Sequence, residues 1–258
     1  MQGVLDALVA RTPIQTRLAL VVAHPDDETI AAGGSLHLME NLLLVHLTDG
    51  APLRLEDHRR AGFDSPAAYA EARESELELA LAIAHVRPLR ATLGLPDQDA
   101  ALFMYASAAD LARLFAQHGT EVVITHAYEG GHPDHDATAF AVHRAAREMG
   151  VSVIEFAGYR AGLDGETVIQ RFLPGPPETL VRLDPGEAAH KRVMYDAHKS
   201  QANVLSRFSA SVERFRCAPD YDFSQPPHSG PLNYENWGWE MTGERWRELA
   251  RGGTPCAT

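Results

Sequence analysis

The stretch Ala23-His24-Pro25-Asp26-Asp27-Glu28 sets an imidazole and a carboxylate three positions apart, with a second carboxylate between them. His24 and Asp27 at that spacing can turn toward one cation, and a nitrogen with an oxygen donor suits zinc. Asp26 is then left unligated beside the metal, where a free carboxylate can work as a general base. A second group reads His126-Ala127-Tyr128-Glu129-Gly130-Gly131-His132-Pro133-Asp134-His135, in which a His-Pro-Asp triplet recurs and another histidine follows it. Each group also has a plainer reading. Pro25 and Pro133 fix the chain direction, and Asp26, Asp27 and Asp134 are of the type that caps a helix. Capping leaves His24 and one aspartate of the first pair without a task, makes His135 a surface histidine, and does not account for the recurrence.

Both groups need something to aim them. The apolar run Leu18-Ala19-Leu20-Val21-Val22 precedes the first, and Glu121-Val122-Val123-Ile124-Thr125 precedes the second. Runs this short read as buried strands, so both polar groups fall at strand carboxyl ends. That is where open parallel sheets bind their ligands.

Further strands are expected at 42–47, 90–93, 151–156 and around 178–183, and helices at 29–40, 65–85, 106–117, 134–149 and 185–200. Gly33 and Gly34 weaken the first of these helices and imply a close approach to the sheet. Thr48-Asp49-Gly50 reads as a turn closing the second strand. Arg73 and Glu76, i and i+3 on one helix face, read by default as a solvated ion pair. Asp97, in the loop Gly94-Leu95-Pro96-Asp97, reads as a turn former or as an acceptor for substrate hydroxyls. Alternation of strand and helix over this length implies an α/β fold: a Rossmann-like three-layer arrangement with a mostly parallel sheet.

The two motifs resemble those of the LmbE-like, or PIG-L-like, zinc-dependent N-deacetylases: His-Pro-Asp-Asp-Glu at residues 24–28 and His-Pro-Asp-His at residues 132–135. Thr48-Asp49-Gly50, Arg73 with Glu76, Leu93-Gly94-Leu95-Pro96-Asp97 and Ala197-His198-Lys199-Ser200-Gln201 extend the resemblance over roughly residues 15 to 205. It implies His24, Asp27 and His135 as ligands of one zinc ion, and Asp26 as the base. It further implies that His132 stabilises the oxyanion and Asp134 orients it, with Arg73, Asp97 and Asp49 at the substrate. The implied reaction is hydrolytic removal of an acetyl group from the amine of an N-acetylglucosamine-like sugar or glycoconjugate. A zinc amidase acting on a non-sugar amide or thiol conjugate is the alternative, and a non-catalytic metal or carbohydrate binder is another. Asp26, which a binder does not need, speaks against the last.

The 258 residues are long enough for one large domain, read here as a core of about 15–205 with a carboxyl-terminal extension of about 206–258. A formal net charge of −12 argues against nucleic acid or an anionic membrane as partner. No secretory signal and no membrane-spanning run is recognisable, so a cytoplasmic location is expected. Cys217 and Cys256 lack metal-binding spacing and read as bystander thiols. No Gly-x-Gly-x-x-Gly follows the first strand, which leaves a nucleotide cofactor unsupported, and no His-Glu-x-x-His peptidase helix is present. Residues 215–239, dense in aromatics and prolines, cannot form a regular helix. They are expected either to pack on the domain or to close over the substrate side of the metal.

Overall fold

Leu18–Val22 (β1) is buried along its whole length, as a strand must be when helices cover both faces of its sheet. Residues 1–53, 57–162 and 164–252 are described in this computed structural model. In chain order they form α1 (Gln2–Ala10), β1, α2 (Asp27–Ala32), β2 (Leu42–Pro52), α3 (Asp57–Arg60), α4 (Pro66–Ile83), β3 (Leu89–Asp97), α5 (Met104–His118), β4 (Val122–His126) and α6 (Pro133–Met149). There follow β5 (Ser152–Phe156), β6 (Tyr159–Ala161), β7 (Thr167–Ile169), β8 (Glu178–Arg182), α7 (Pro185–Ala197), α8 (Ala202–Leu205), β9 (Val212–Cys217), α9 (Asn233–Asn236) and α10 (Gly243–Ala250).

The main sheet has seven strands in the order β3-β2-β1-β4-β5-β9-β8. β3 through β5 are parallel, and β9 runs antiparallel to both β5 and β8. The chain leaves β1 to build β2 and β3 on one side, then returns to build β4 and β5 on the other. The carboxyl ends of β1 and β4 therefore flank the point where the connections diverge, which opens a crevice there. Side chains alternate across β1: Leu18, Leu20 and Val22 pack with Leu77 of α4 and Met194 of α7, while Ala19 and Val21 pack with Phe115 of α5 and Val142 of α6. The result is three layers, as expected.

Several boundaries differ from the sequence reading. The helix expected at 29–40 stops at Ala32 and is followed by a turn and a short 3₁₀ segment, Leu36–Leu38. What Gly34 leaves room for is a Leu183 methyl just past the end of β8, which a Cβ there would strike. Thr48-Asp49-Gly50 is not a turn but part of β2, which continues to Pro52 beside a lengthened β3 through two register shifts. Gly50, at φ 71°, supplies the backbone freedom for that irregular stretch. β9 occupies the start of the aromatic segment. Its Glu213 and Arg216 are buried in ion pairs with Lys191 and with Glu129 and Glu155, so the strand does not look apolar. Beyond it, Trp246 of α10 is fully buried and donates from Nε1 to the Pro133 carbonyl at 3.1 Å. The stretch after residue 205 thus supplies both an interior strand and a buttress for α6. Cys217, at the end of β9, is a free thiol; Cys256 lies outside the described residues. Among the described residues no helix is long and apolar enough to cross a membrane.

Candidate metal centre

His24 leaves the end of β1, and the chain turns at Pro25 and Asp26 into α2, whose first residue is Asp27. On the other side of the crevice, Pro133 takes the first position of α6, where its missing N–H costs nothing, and His135 lies in the first turn. His132 is the cap, its Nδ1 accepting the Asp134 N–H at 3.1 Å. β1 and β4 are neighbours in the sheet, so the two turns face each other.

His24 Nδ1 lies 3.2 Å from Asp27 Oδ2 and 3.3 Å from His135 Nε2, and His135 Nε2 lies 3.4 Å from Asp27 Oδ1. Donors sharing one tetrahedral zinc at about 2.0 Å are separated by about 3.3 Å, so each of these pairs has the spacing for that ion, with Asp27 meeting the two imidazoles through different carboxylate oxygens. Other triples converge in the same place, namely His24, His132 and His135, and Asp27, His126 and His135. Hydrogen bonding argues against both. His132 uses its Nδ1 lone pair on Asp134 N–H, so neutral His132 carries its proton on Nε2 and offers no lone pair there. His126 Nε2 accepts the Ala23 N–H at 3.0 Å, and its ring stacks 4.0 Å from that of His135. Burial and the neighbouring His135 push His126 down to about 3, so it stays neutral.

Asp26, Asp27, Asp97 and Asp134 are gathered around His24, and this much negative charge in a buried place calls for a cation. Burial opposes a proton on His24, but Asp97, Asp134 and Asp27 outweigh it and raise the imidazole well above its usual range. His24 Nε2 faces Asp97 Oδ1 at 3.1 Å and Asp134 Oδ2 at 3.3 Å, so its outer proton is held there and the Nδ1 lone pair is aimed into the triangle. Asp134 is fixed in turn by the N–H groups of Gln98 and Ala100. Its carboxylate therefore orients His24, whereas resemblance placed it on His132. The carboxylate oxygen nearest His132 Nε2 is Oδ1 of Asp97, at 3.6 Å. Burial and His24 hold His132 below its ordinary range, so it is a neutral Nε2–H donor.

The neighbouring aspartates differ sharply. Burial would raise Asp27, but His135 and His126 hold it well below the usual carboxylate range. Asp26 is pushed up to about 6 by burial, against the pull of Arg73. Arg73 is itself buried; it lies 3.1 Å from Asp26 Oδ2 and donates to the Gly50 and Pro25 carbonyls. It does not pair with Glu76, whose carboxylate accepts from Ser200.

One cavity of about 320 Å³ touches His24, Asp26, Asp27, His132 and His135. Arg73 and Asp97 also line it; Asp49 does not, and its Oδ1 accepts the Ala51 N–H instead. The far wall comes partly from residues the sequence reading did not single out for the site and partly from the aromatic segment it did. Tyr159 and Ile169 come from the β6–β7 hairpin and Val204 and Phe208 from the region of α8, while Trp237 and Trp239 follow α9. The aromatic segment thus divides: Tyr221 and Phe223 pack against Tyr128 and Trp246, whereas the two tryptophans face the cavity. Trp239 stands edge-on to His132 at 4.9 Å.

Fold and site together define a class: doubly wound α/β proteins whose switch-point crevice holds a His-Asp-His donor set with a spare carboxylate beside it. Residues 19–146 match the family described as PIG-L, GlcNAc-PI de-N-acetylase, also called LmbE-like. No curated protein gives a significant match. Among solved structures, a deacetylase triple mutant from the teicoplanin biosynthetic pathway superposes with TM-score 0.62 at 20% identity, covering 80% of this chain and 99% of that one. The A40926 pseudoaglycone deacetylase gives 0.61 at 19% identity, with 80% and 100% covered. The N,N'-diacetylchitobiose deacetylase from Pyrococcus horikoshii, complexed with its inhibitor MPG, gives 0.55 at 17% identity, with 85% and 93% covered. At these identities the likeness is one of fold.

Proposed function

We propose that this protein is a zinc-dependent hydrolase that removes the acetyl group from the amine of an N-acetylglucosamine-like sugar or glycoconjugate. The observation that carries the proposal is the triangle of His24, Asp27 and His135 with Asp26 unligated beside it, all on one cavity. Support for the acyl group and the sugar comes from the family description and from the named activities of the structural relatives. His24, Asp27 and His135 would hold one zinc ion, which supplies Lewis acidity to polarise the amide carbonyl and to make water acidic near neutral pH.

Asp26 takes the proton of the attacking water, its carboxylate held in place by Arg73. Raised to about 6, it is ionised at neutral pH yet basic enough to accept that proton. His132, neutral and protonated on Nε2, donates a hydrogen bond to the developing oxyanion. A neutral imidazole is a poor acid, so the same Asp26 returns its proton to the leaving amine. Tyr159 stays protonated, because burial and the surrounding aspartates raise its phenol, and it offers a further donor on the far side. Asp97 keeps His24 and His132 in register and leaves an edge toward substrate hydroxyls.

The apolar wall of Ile169, Val204, Phe208 and Trp237 also suits a second reading, an amidase for a non-sugar amide with an apolar substituent. Elemental analysis of the purified protein, followed by acetate release from a panel of N-acetylated glycosides, glycopeptides and simple amides, separates the two. Protein that binds no zinc and gains no activity from added zinc contradicts both.

A further inference from the structure

Glu28 takes no part in the chemistry above, yet it is fully buried beside it. Its Oε2 accepts the backbone N–H of Asp26 at 3.0 Å and lies 3.2 Å from Nε2 of His46 on β2. Its Oε1 accepts the Thr29 hydroxyl and lies 3.6 Å from Nε2 of His198, just past the end of α7. Asp26 meanwhile has φ 145° and ψ −24°, a conformation that suits glycine and strains any residue with a Cβ. The Asp26 carbonyl is fixed by the N–H groups of Thr29 and Ile30 as α2 begins. With the N–H fixed too, the torsion about N–Cα has no freedom, and that torsion sets where the side chain points.

We propose that Glu28, braced by His46 and His198, is a positioning residue. By gripping the Asp26 N–H it holds that residue in its strained conformation, with the carboxylate turned into the cavity beside His24 and Asp27. The inference rests on the reading of Asp26 as the base. It makes the aim of that carboxylate depend on three places in the chain that no local motif joins: the turn after β1, the middle of β2 and the end of α7.

The test combines kinetics with a stability cycle on the full-length, zinc-loaded chain. Glu28→Ala lowers kcat by about 10²-fold, the usual cost of a misplaced group, with KM and zinc per chain unchanged. Glu28→Gln, which keeps an amide oxygen for the Asp26 N–H, recovers most of that loss. Should Glu28→Ala fail to fold, Glu28→Asp replaces it, since it retains the buried charge but draws the acceptor back from Asp26. Independently of turnover, Asp26→Gly raises the thermal midpoint when Glu28 is present, because glycine accepts the strained backbone, and raises it less in the Glu28-substituted background. Wild-type kcat in the folded variant, a kcat loss matched by loss of zinc, no gain from Asp26→Gly, or the same gain in both backgrounds each overturns the proposal. If the wild-type enzyme releases acetate from no substrate in the panel, the deacetylase reading fails while the stability cycle still decides whether Glu28 holds the strain.

Discussion

Asp26 and Asp27 are the same chemical group in adjacent positions, and their surroundings alone assign them different tasks. Asp27→Ala removes one of three donors and is expected to abolish tight zinc binding. Asp26→Asn should keep zinc while kcat falls about 10²- to 10⁴-fold, the usual worth of a general base. Zinc content and kcat measured on both variants check the assignment; loss of zinc from Asp26→Asn alone would reverse the roles. His24 makes a second prediction. With its imidazole raised well above the ordinary value and Nε2 bonded to carboxylates, the zinc-free protein carries an extra proton on Nδ1, where the metal would sit. Zinc loading should therefore release protons and weaken as pH falls. Calorimetry in two buffers of different ionisation enthalpy counts them, and identical heats would contradict the displacement. At this scale the two motifs were legible because they pack several chemical groups into a few residues. The pairing of Asp134 with His24 was not, since it joins positions 110 apart through a fold.

Elements set the aim of these residues, and β2 shows how. At Gly50 the backbone is left-handed, and an added Cβ would come within 2.6 Å of the Arg73 guanidinium. Gly50→Ala should cost about 1–3 kcal/mol of stability by urea unfolding, the range for such strain, and should lower kcat by displacing Arg73 from Asp26. Wild-type stability would show that β2 can relax there. The end of α7 adds a pH dependence. Burial opposes charge on His198, but Glu28 more than compensates and raises it above its ordinary value. A group raised on folding contributes stability in full below its unfolded pKa, near 6.5, and loses it as pH rises through the folded value. His198→Gln should therefore lose more stability relative to wild type at pH 6 than at pH 9; equal losses in urea midpoint would count against a charged His198. β9 was hidden from sequence reading because a strand written Val-Glu-Arg-Phe-Arg-Cys hides its burial behind charges that pair only in three dimensions. Tyr159 was hidden for a related reason: nothing local to a single aromatic says which cavity it will face, and the two tryptophans were legible only as part of a segment that could pack or could cover the site.

Across the whole molecule, the strand and helix alternation was enough to reveal a mostly parallel α/β sheet with the candidate site at the switch point. It was not enough to show that the stretch past residue 205 is structural. Truncation after Ala210 removes β9 and Trp246, leaves β8 without its partner in the sheet, and takes away the hydrogen bond to Pro133. Such a chain is expected to lose cooperative unfolding, as circular dichroism would record, rather than to become a folded enzyme with a raised KM. A sharp thermal transition in the truncated protein would show that the remaining strands suffice.

That interior position of β9 also sets a timetable for synthesis. β8 reaches the sheet only through β9, and β5 keeps an open edge until β9 arrives, although β9 is the last strand of the main sheet to be made. From Phe156 to Cys217 a ribosome working at 5–20 residues per second needs about 3 to 12 s. During that interval both turns of the candidate site have already been made, but an unpaired edge accompanies them. The nascent chain is thus most exposed to mispairing just before its final strand appears, and that window is where a holding chaperone would find its task.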